Sequence, residues 1–178
     1  KLVDFAGFNM PINYPKGIKS EYESVRNNVG VFDVSHMGQI RIIGKDAKSF
    51  LNLITTNDID KLIIGDAQYN LICNKDGGIK DDIIVYMLDN VEFLLIVNAS
   101  NSEKIYNWLL EFKLDELNII NETSDHSLIA VQGPKSREIL EEIFGEKIKL
   151  NFYKHKNFIY ESDELLLSRT GYTGELGF

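Results

Sequence analysis

The chain has 178 residues, 44% of them hydrophobic, which is enough to bury a sizeable core as one domain or two small ones. Its 27 acidic and 19 basic residues leave a formal net charge of −8, and no basic stripe interleaves with aromatics, so nucleic acid is not an expected partner. The single cysteine, Cys73, excludes an internal disulfide and a cysteine-based metal cluster and suits a reducing compartment, and no apolar run reaches the length of a membrane span.

Lys1 to Pro15 is aromatic, and with Pro11 and Pro15 it reads as loop. Ile18, Tyr22 and Val25 recur at helical spacing and predict a short helix before Gly30. Gln39-Ile40-Arg41-Ile42-Ile43 alternates as a strand, and Ala47, Phe50, Leu51 and Ile54 mark a second helix. Ala67 to Cys73, Ile79 to Leu88 and Val91 to Val97 predict a three-strand antiparallel meander turned at Asp76-Gly77-Gly78 and Asp89-Asn90. Ser100-Asn101-Ser102-Glu103 reads as a capping box for a helix whose apolar face is Ile105, Trp108, Leu109 and Phe112. Strands are expected over Leu114 to Ile120 and Leu128 to Gln132, a helix behind Gly133-Pro134, and a closing hairpin of Phe158 to Tyr160 with Leu165 to Ser168. Helices scattered among hairpins, without regular strand-helix-strand alternation, predict an α+β fold. The chain closes on Gly177-Phe178 directly after a glycine-rich stretch, and it is expected to be a piece of something longer.

Chemistry points first to the strand beginning at Ile79. A period of two puts Asp82, Ile84 and Tyr86 on one face and Asp81, Ile83, Val85 and Met87 on the other, so the two carboxylates point apart and one must face the covered side. The carboxylate beside Ile84 and Tyr86 is the one expected to need hydrogen bonds or a ligand, and a structural aspartate bonded to backbone amides stays open as its reading. Lys80 falls on the Asp82 face by the same count.

Other motifs carry less. Gly77-Gly78 joins strand to strand and lacks a P-loop ending, and Gly171-Tyr172-Thr173-Gly174-Glu175-Leu176-Gly177 has the wrong spacing for a dinucleotide fingerprint. His36, His126 and His155 have no metal spacing, and Ser35 beside His36 lacks a nucleophile elbow. On composition alone Met37, Tyr69 and Tyr86 suit a core, and Asn98 suits a loop cap.

Taken in order, Val3-Asp4-Phe5-Ala6-Gly7-Phe8, Phe32-Asp33-Val34-Ser35-His36-Met37-Gly38, Thr56-Asn57-Asp58, Gly77-Gly78-Ile79-Lys80-Asp81-Asp82, Val97-Asn98-Ala99, Gln132-Gly133-Pro134 and Arg169-Thr170-Gly171-Tyr172-Thr173-Gly174-Glu175 resemble the aminomethyltransferases, the T proteins of the glycine cleavage system. The resemblance covers nearly the whole chain and implies a folate-binding α+β fold and a transfer of a methylene unit from an aminomethyl-lipoyl carrier, the H protein, to tetrahydrofolate, with release of ammonia. Tetrahydrofolate would be the co-substrate, no metal would be needed, and no membrane or nucleic acid would be involved. The compartment implied is the cytoplasm, or the mitochondrial matrix in a eukaryote.

By motif, Asp82 would be the catalytic carboxylate. Met37, Tyr69, Ile84 and Tyr86 would line the folate cleft, Asn98 would contact the pterin end and Tyr172 would close the site. The resemblance also implies an inserted domain over 41–122 within a first domain of 1–40 plus 123–178, followed by a C-terminal barrel domain outside this chain. Phe8 stands where the family commonly has tryptophan, and Lys80 where an aliphatic residue is usual. A folate-dependent demethylase, the folate domain of a sarcosine- or dimethylglycine-oxidising enzyme, and a non-catalytic folate-binding regulatory protein are the alternatives the resemblance leaves.

Overall fold

The computed structural model describes Lys1–Phe178. In chain order, β1 (Leu2–Phe5) and β2 (Phe8–Pro11) form a hairpin, then come α1 (Ile18–Asn27), β3 (Gly30–Asp33), β4 (Gly38–Ile43) and α2 (Ala47–Ile54). The long hairpins follow as β5 (Ala67–Cys73), β6 (Ile79–Asp89) and β7 (Glu92–Val97), then α3 (Ser102–Glu111), β8 (Asn118–Asn121), β9 (Ile129–Gln132), α4 (Ser136–Phe144), β10 (His155–Tyr160) and β11 (Asp163–Ser168). Helices and antiparallel strands mix without βαβ units, which makes the fold α+β. The chain divides into two compact units, one of Lys1–Val34 with Leu128–Phe178 and one of Ser35–Ser127.

Ser35–Ser127 is organised by a five-stranded antiparallel sheet in the order β5-β6-β7-β4-β8. The expected meander forms its first three strands, and β4 and β8 extend it through β7. Strand β8 is shorter than expected, because Leu117 turns back onto the carbonyl of Leu114 before pairing begins at Asn118. One sheet face is closed by α2 and α3: Ile40, Ile42, Ile72, Ile83, Val85, Phe93, Leu95 and Val97 pack against Phe50, Leu51, Ile105 and Leu109. The edge strand β5 is covered by the segment that follows α2. There the Thr56 N–H donates to the Leu71 carbonyl, and the buried Asn70 accepts from the Asn57 N–H at 2.7 Å. The Thr56-Asn57-Asp58 motif is thereby explained structurally, with Asp58 capping the short 3₁₀ turn Ile59–Lys61.

In the other unit Leu140, Ile148, Phe158 and Phe178 form a core with Phe144 and Leu167 beside it, and Phe144 stacks on Phe158 at 5.3 Å. The glycine-rich stretch is fixed by Gln132. This buried side chain donates to the Phe178 carbonyl at 3.2 Å and accepts from the Thr173 hydroxyl at 3.1 Å. A Cβ on Gly171 or Gly177 would run into the Gln132 amide, so a side chain at either position would have to displace the group that fixes the stretch. Arg26 of α1 ties the same stretch down through the Thr173 carbonyl and Glu175.

Two expectations about local structure are corrected here. Lys1 to Pro15 is not all loop: Ala6 and Gly7 both take positive φ, 53° and 83°, and close a two-residue hairpin turn that alanine does not advertise. Pro11 is tolerated because it ends its strand. The capping box at Ser100 does not form either. Ala99–Asn101 is a 3₁₀ turn, and Asn101, which precedes α3, makes no cap bond because its side chain is engaged with Asp81.

Candidate functional site

The turn that leads into β6 is built by Asn74. Its Oδ1 accepts from the Asp76 and Gly78 N–H groups at 3.0 and 2.7 Å, and Gly77 supplies the positive φ of 84°. Gly78 needs no such conformation. A bulge follows: Cys73 pairs with Ile79 and Ile72 with Asp81, so Lys80 is the extra residue on β6. This bulge moves Lys80 off the Asp82 face expected for it, and its ammonium sits 4.0 Å from the centre of the Trp108 ring on α3.

Past the bulge, alternation sorts the two aspartates as expected but exchanges their surroundings. Asp81 is the covered carboxylate, 4% exposed, on the face where Ile83, Val85 and Met87 meet the helices. Asp82 lies on the opposite face and is exposed, so the expectation that the carboxylate beside Ile84 and Tyr86 is the buried one is overturned. The reason is the end of the sheet. Near the start of β6 the second face is open, whereas the first is roofed by the turn into α3.

Asp82 is nevertheless held. Its Oδ1 accepts from Asn98 Nδ2 at 3.0 Å and its Oδ2 from the Tyr69 hydroxyl at 3.3 Å. Tyr69 comes from β5, where it pairs with Ile84, and Asn98 directly follows β7. Three chain segments thus converge on one carboxylate. The same sheet face continues with Leu71 opposite Asp82, Ile96 opposite Ile84, and the buried pair Tyr86 and Leu94. It is an apolar floor carrying one anchored charge, with the Tyr69 ring 48% exposed beside it. Farther along this face Arg41 bonds Glu122 at 2.7 Å and also Glu92. These bonds, Glu122 first, hold the guanidinium above its ordinary range against the opposing effect of burial.

The structure therefore brings together Asp82, Tyr69, Asn98 and Ile84, with Tyr86 two residues farther along β6. Met37 immediately precedes β4, whose Gly38 pairs with Val97, which puts it at the same end of the sheet as Asn98. Tyr172 belongs to the other unit, exposed and edge-on to Phe32 at 5.9 Å. Two residues that sequence reasoning passed over are Asp81 as a bonded group and Asn101, which donates to it at 2.6 Å. The available signal was the Asn98/Asn101 spacing just beyond a strand, two amides poised over a neighbouring carboxylate.

The family described as GCVT N-terminal domain matches residues 1–178. An aminomethyltransferase of Exiguobacterium sibiricum is 46% identical over 179 residues, and one of Chloroherpeton thalassium is 47% identical over 182; each alignment covers all of this chain and 49% of the relative. The chain thus spans about half the length of the curated relatives it matches. Among solved structures, the glycine cleavage system aminomethyltransferase T of Bartonella henselae superposes with a TM-score of 0.89 at 34% identity, over 99% of this chain and 48% of that one. A heterotetrameric sarcosine oxidase from Corynebacterium superposes with a TM-score of 0.57 at 12% identity, over 89% of this chain and 79% of that one, and shares the fold alone. With every residue matched by the family and the Bartonella fold reproduced throughout, the chain belongs to the GCVT N-terminal domain family.

Proposed function

We propose that this chain is the folate-binding N-terminal half of an aminomethyltransferase of the glycine cleavage system, with Asp82 as its catalytic carboxylate. The observation that carries the proposal is the anchored, exposed Asp82 on an apolar sheet face, in a chain whose full-span relatives are aminomethyltransferases. The residues present fit a flat heteroaromatic co-substrate: Tyr69 offers a half-exposed ring, Ile84 an aliphatic floor, and Asp82 and Asn98 oriented polar groups. Met37 and Tyr86, from the same unit, complete the proposed lining.

Tetrahydrofolate would supply two nitrogens that take the methylene from the aminomethyl-lipoyl arm of an H protein, as its C–S and C–N bonds break and the two N–H hydrogens leave on the thiol and on ammonia. Asp82 acts where charge develops. With Tyr69 and Asn98 each bonding one of its oxygens, the carboxylate keeps lone pairs to accept a ring N–H and offsets positive charge on nitrogen without having to reorganise. A flat ligand seated on the apolar residues beside it would exclude water and so strengthen that interaction. No helix is long and apolar enough to cross a membrane. The compartment proposed is the cytoplasm, or the mitochondrial matrix in a eukaryote, and the rest of the relatives' length would supply a C-terminal barrel domain.

The test is ligand-linked stability of the full-length protein. At 100 times its dissociation constant, 5-formyltetrahydrofolate adds about 2.7 kcal/mol to the folded state, a rise of several degrees in Tm. With aminomethyl-loaded H protein and tetrahydrofolate, ammonia and methylenetetrahydrofolate should appear in equal amounts. No thermal shift at saturating ligand would overturn the proposal.

A further inference from the structure

Asp81 is the most deeply buried carboxylate near the site, and the chemistry proposed above does not use it. It is 4% exposed and accepts three N–H bonds: from the Asn98 backbone at 2.9 Å, from Asn98 Nδ2 at 2.9 Å and from Asn101 Nδ2 at 2.6 Å. Asn101 is held in turn by Lys104, whose ammonium donates to Asn101 Oδ1 at 3.1 Å and to the Lys80 carbonyl at 2.9 Å. Every partner comes from the turn at the end of the sheet or from the first turn of α3. Asp81 is therefore fixed by the fold and not by a ligand.

The consequence falls on Asn98. Its Nδ2 donates to Asp81 Oδ1 at 2.9 Å and, on the other side, to Asp82 Oδ1 and the Asp82 carbonyl, both at 3.0 Å. Both amide hydrogens are thereby directed at β6. Rotating the amide by half a turn would place Oδ1 against two carboxylate oxygens and a carbonyl, all acceptors, and strand the buried charge of Asp81 without that donor. Asp82 alone, exposed to solvent, would enforce this weakly; Asp81, buried and already bonded to the Asn98 backbone, enforces it firmly. With Nδ2 committed, Oδ1 is the remaining amide atom, and no protein donor reaches it.

We infer that Asp81 is a positioning residue: it locks the side-chain amide of Asn98 with its nitrogen toward Asp82 and its oxygen toward the ligand. The site then presents a hydrogen-bond acceptor at Asn98 and selects a ligand with an N–H donor there, an amino group or protonated ring nitrogen of a heterocycle. The lock itself is independent of what binds. The identity of the ligand as a reduced folate rests on the function proposed above.

The experiment uses the full-length protein. Without ligand, the Asn98 NH₂ protons should exchange with solvent at least roughly tenfold more slowly than those of an exposed side-chain amide, because both are bonded and one faces a buried carboxylate. Exchange at the free-amide rate in the wild type would overturn the lock without recourse to any variant. Asp81→Asn, which keeps shape but removes the charge, should release that protection and weaken 5-formyltetrahydrofolate binding roughly tenfold. Asn98→Ala should weaken it comparably, and the double variant should bind no more weakly than Asn98→Ala alone, since Asp81 acts through Asn98. Fully additive losses, or unchanged Asn98 amide resonances in Asp81→Asn, would overturn the inference. A wild type that binds no folate while the Asn98 amide stays protected would remove the folate reading and leave the lock standing.

Discussion

The two faces of the five-stranded sheet are made by the same strands and differ in what closes them. Toward α2 and α3 most side chains are aliphatic or aromatic and almost fully buried, and the buried charge there, Asp81, is matched by three donors. On the opposite face the strands are nearly as apolar, through Leu71, Ile84, Tyr86, Leu94 and Ile96, yet that face carries Asp82, the half-exposed Tyr69 and the bonded Arg41. One face is built for packing, and the other is the one proposed to receive an occupant. Strands buried on only one side alternate apolar with polar residues; β6 and β7 do not, which by itself marks the second face as a place meant to be covered.

Substitutions on the two faces should therefore fail in different ways. Phe93→Ala, on the helix face, opens a cavity beneath Ile42 and Met87 and should cost about 3–5 kcal/mol of stability in a denaturant titration, with folate affinity per folded molecule unchanged. A loss below about 1 kcal/mol would mean the core is not where the packing puts it. Tyr69→Phe, on the other face, removes only the hydroxyl that reaches Asp82 across 3.3 Å. It should leave stability within about 0.5 kcal/mol and lower kcat several-fold, with a smaller change in KM, because a long hydrogen bond to an exposed carboxylate contributes about 1 kcal/mol at most. A Tyr69→Phe variant as unstable as Phe93→Ala would erase the distinction between the faces.

Much of this division could be read from the sequence, and the places where it could not have specific causes. Period-two alternation separated Asp81 from Asp82 correctly, because side-chain direction along a strand is a local property. Which of the two is buried is not local: it depends on Asn98 and Asn101, which lie 17 and 20 residues beyond Asp81 and roof one end of the sheet. Lys80 escaped because a bulge adds a residue without a compositional mark, and the period is valid only where pairing is regular. The first hairpin escaped because its turn uses Ala6 at positive φ in place of asparagine. The helices and the long hairpins, by contrast, are written in apolar spacing that tertiary contacts reinforce. Asp82 was singled out by strand alternation as well as by resemblance to a family, and the other site residues by resemblance and not by geometry. What the structure adds is the convergence of Tyr69, Asp82 and Asn98 from three separate segments.

The central claim is that Asp82 serves chemistry and not folding, and the direct measurement is Asp82→Asn in the full-length protein, assayed for methylene transfer alongside its melting temperature. The carboxylate is exposed and its amide replacement keeps the same shape, so Tm should stay within a few degrees of wild type, while transfer falls by about 10²–10⁴. Transfer at near wild-type rates, or a collapse of stability that accounts for the lost activity, would contradict it.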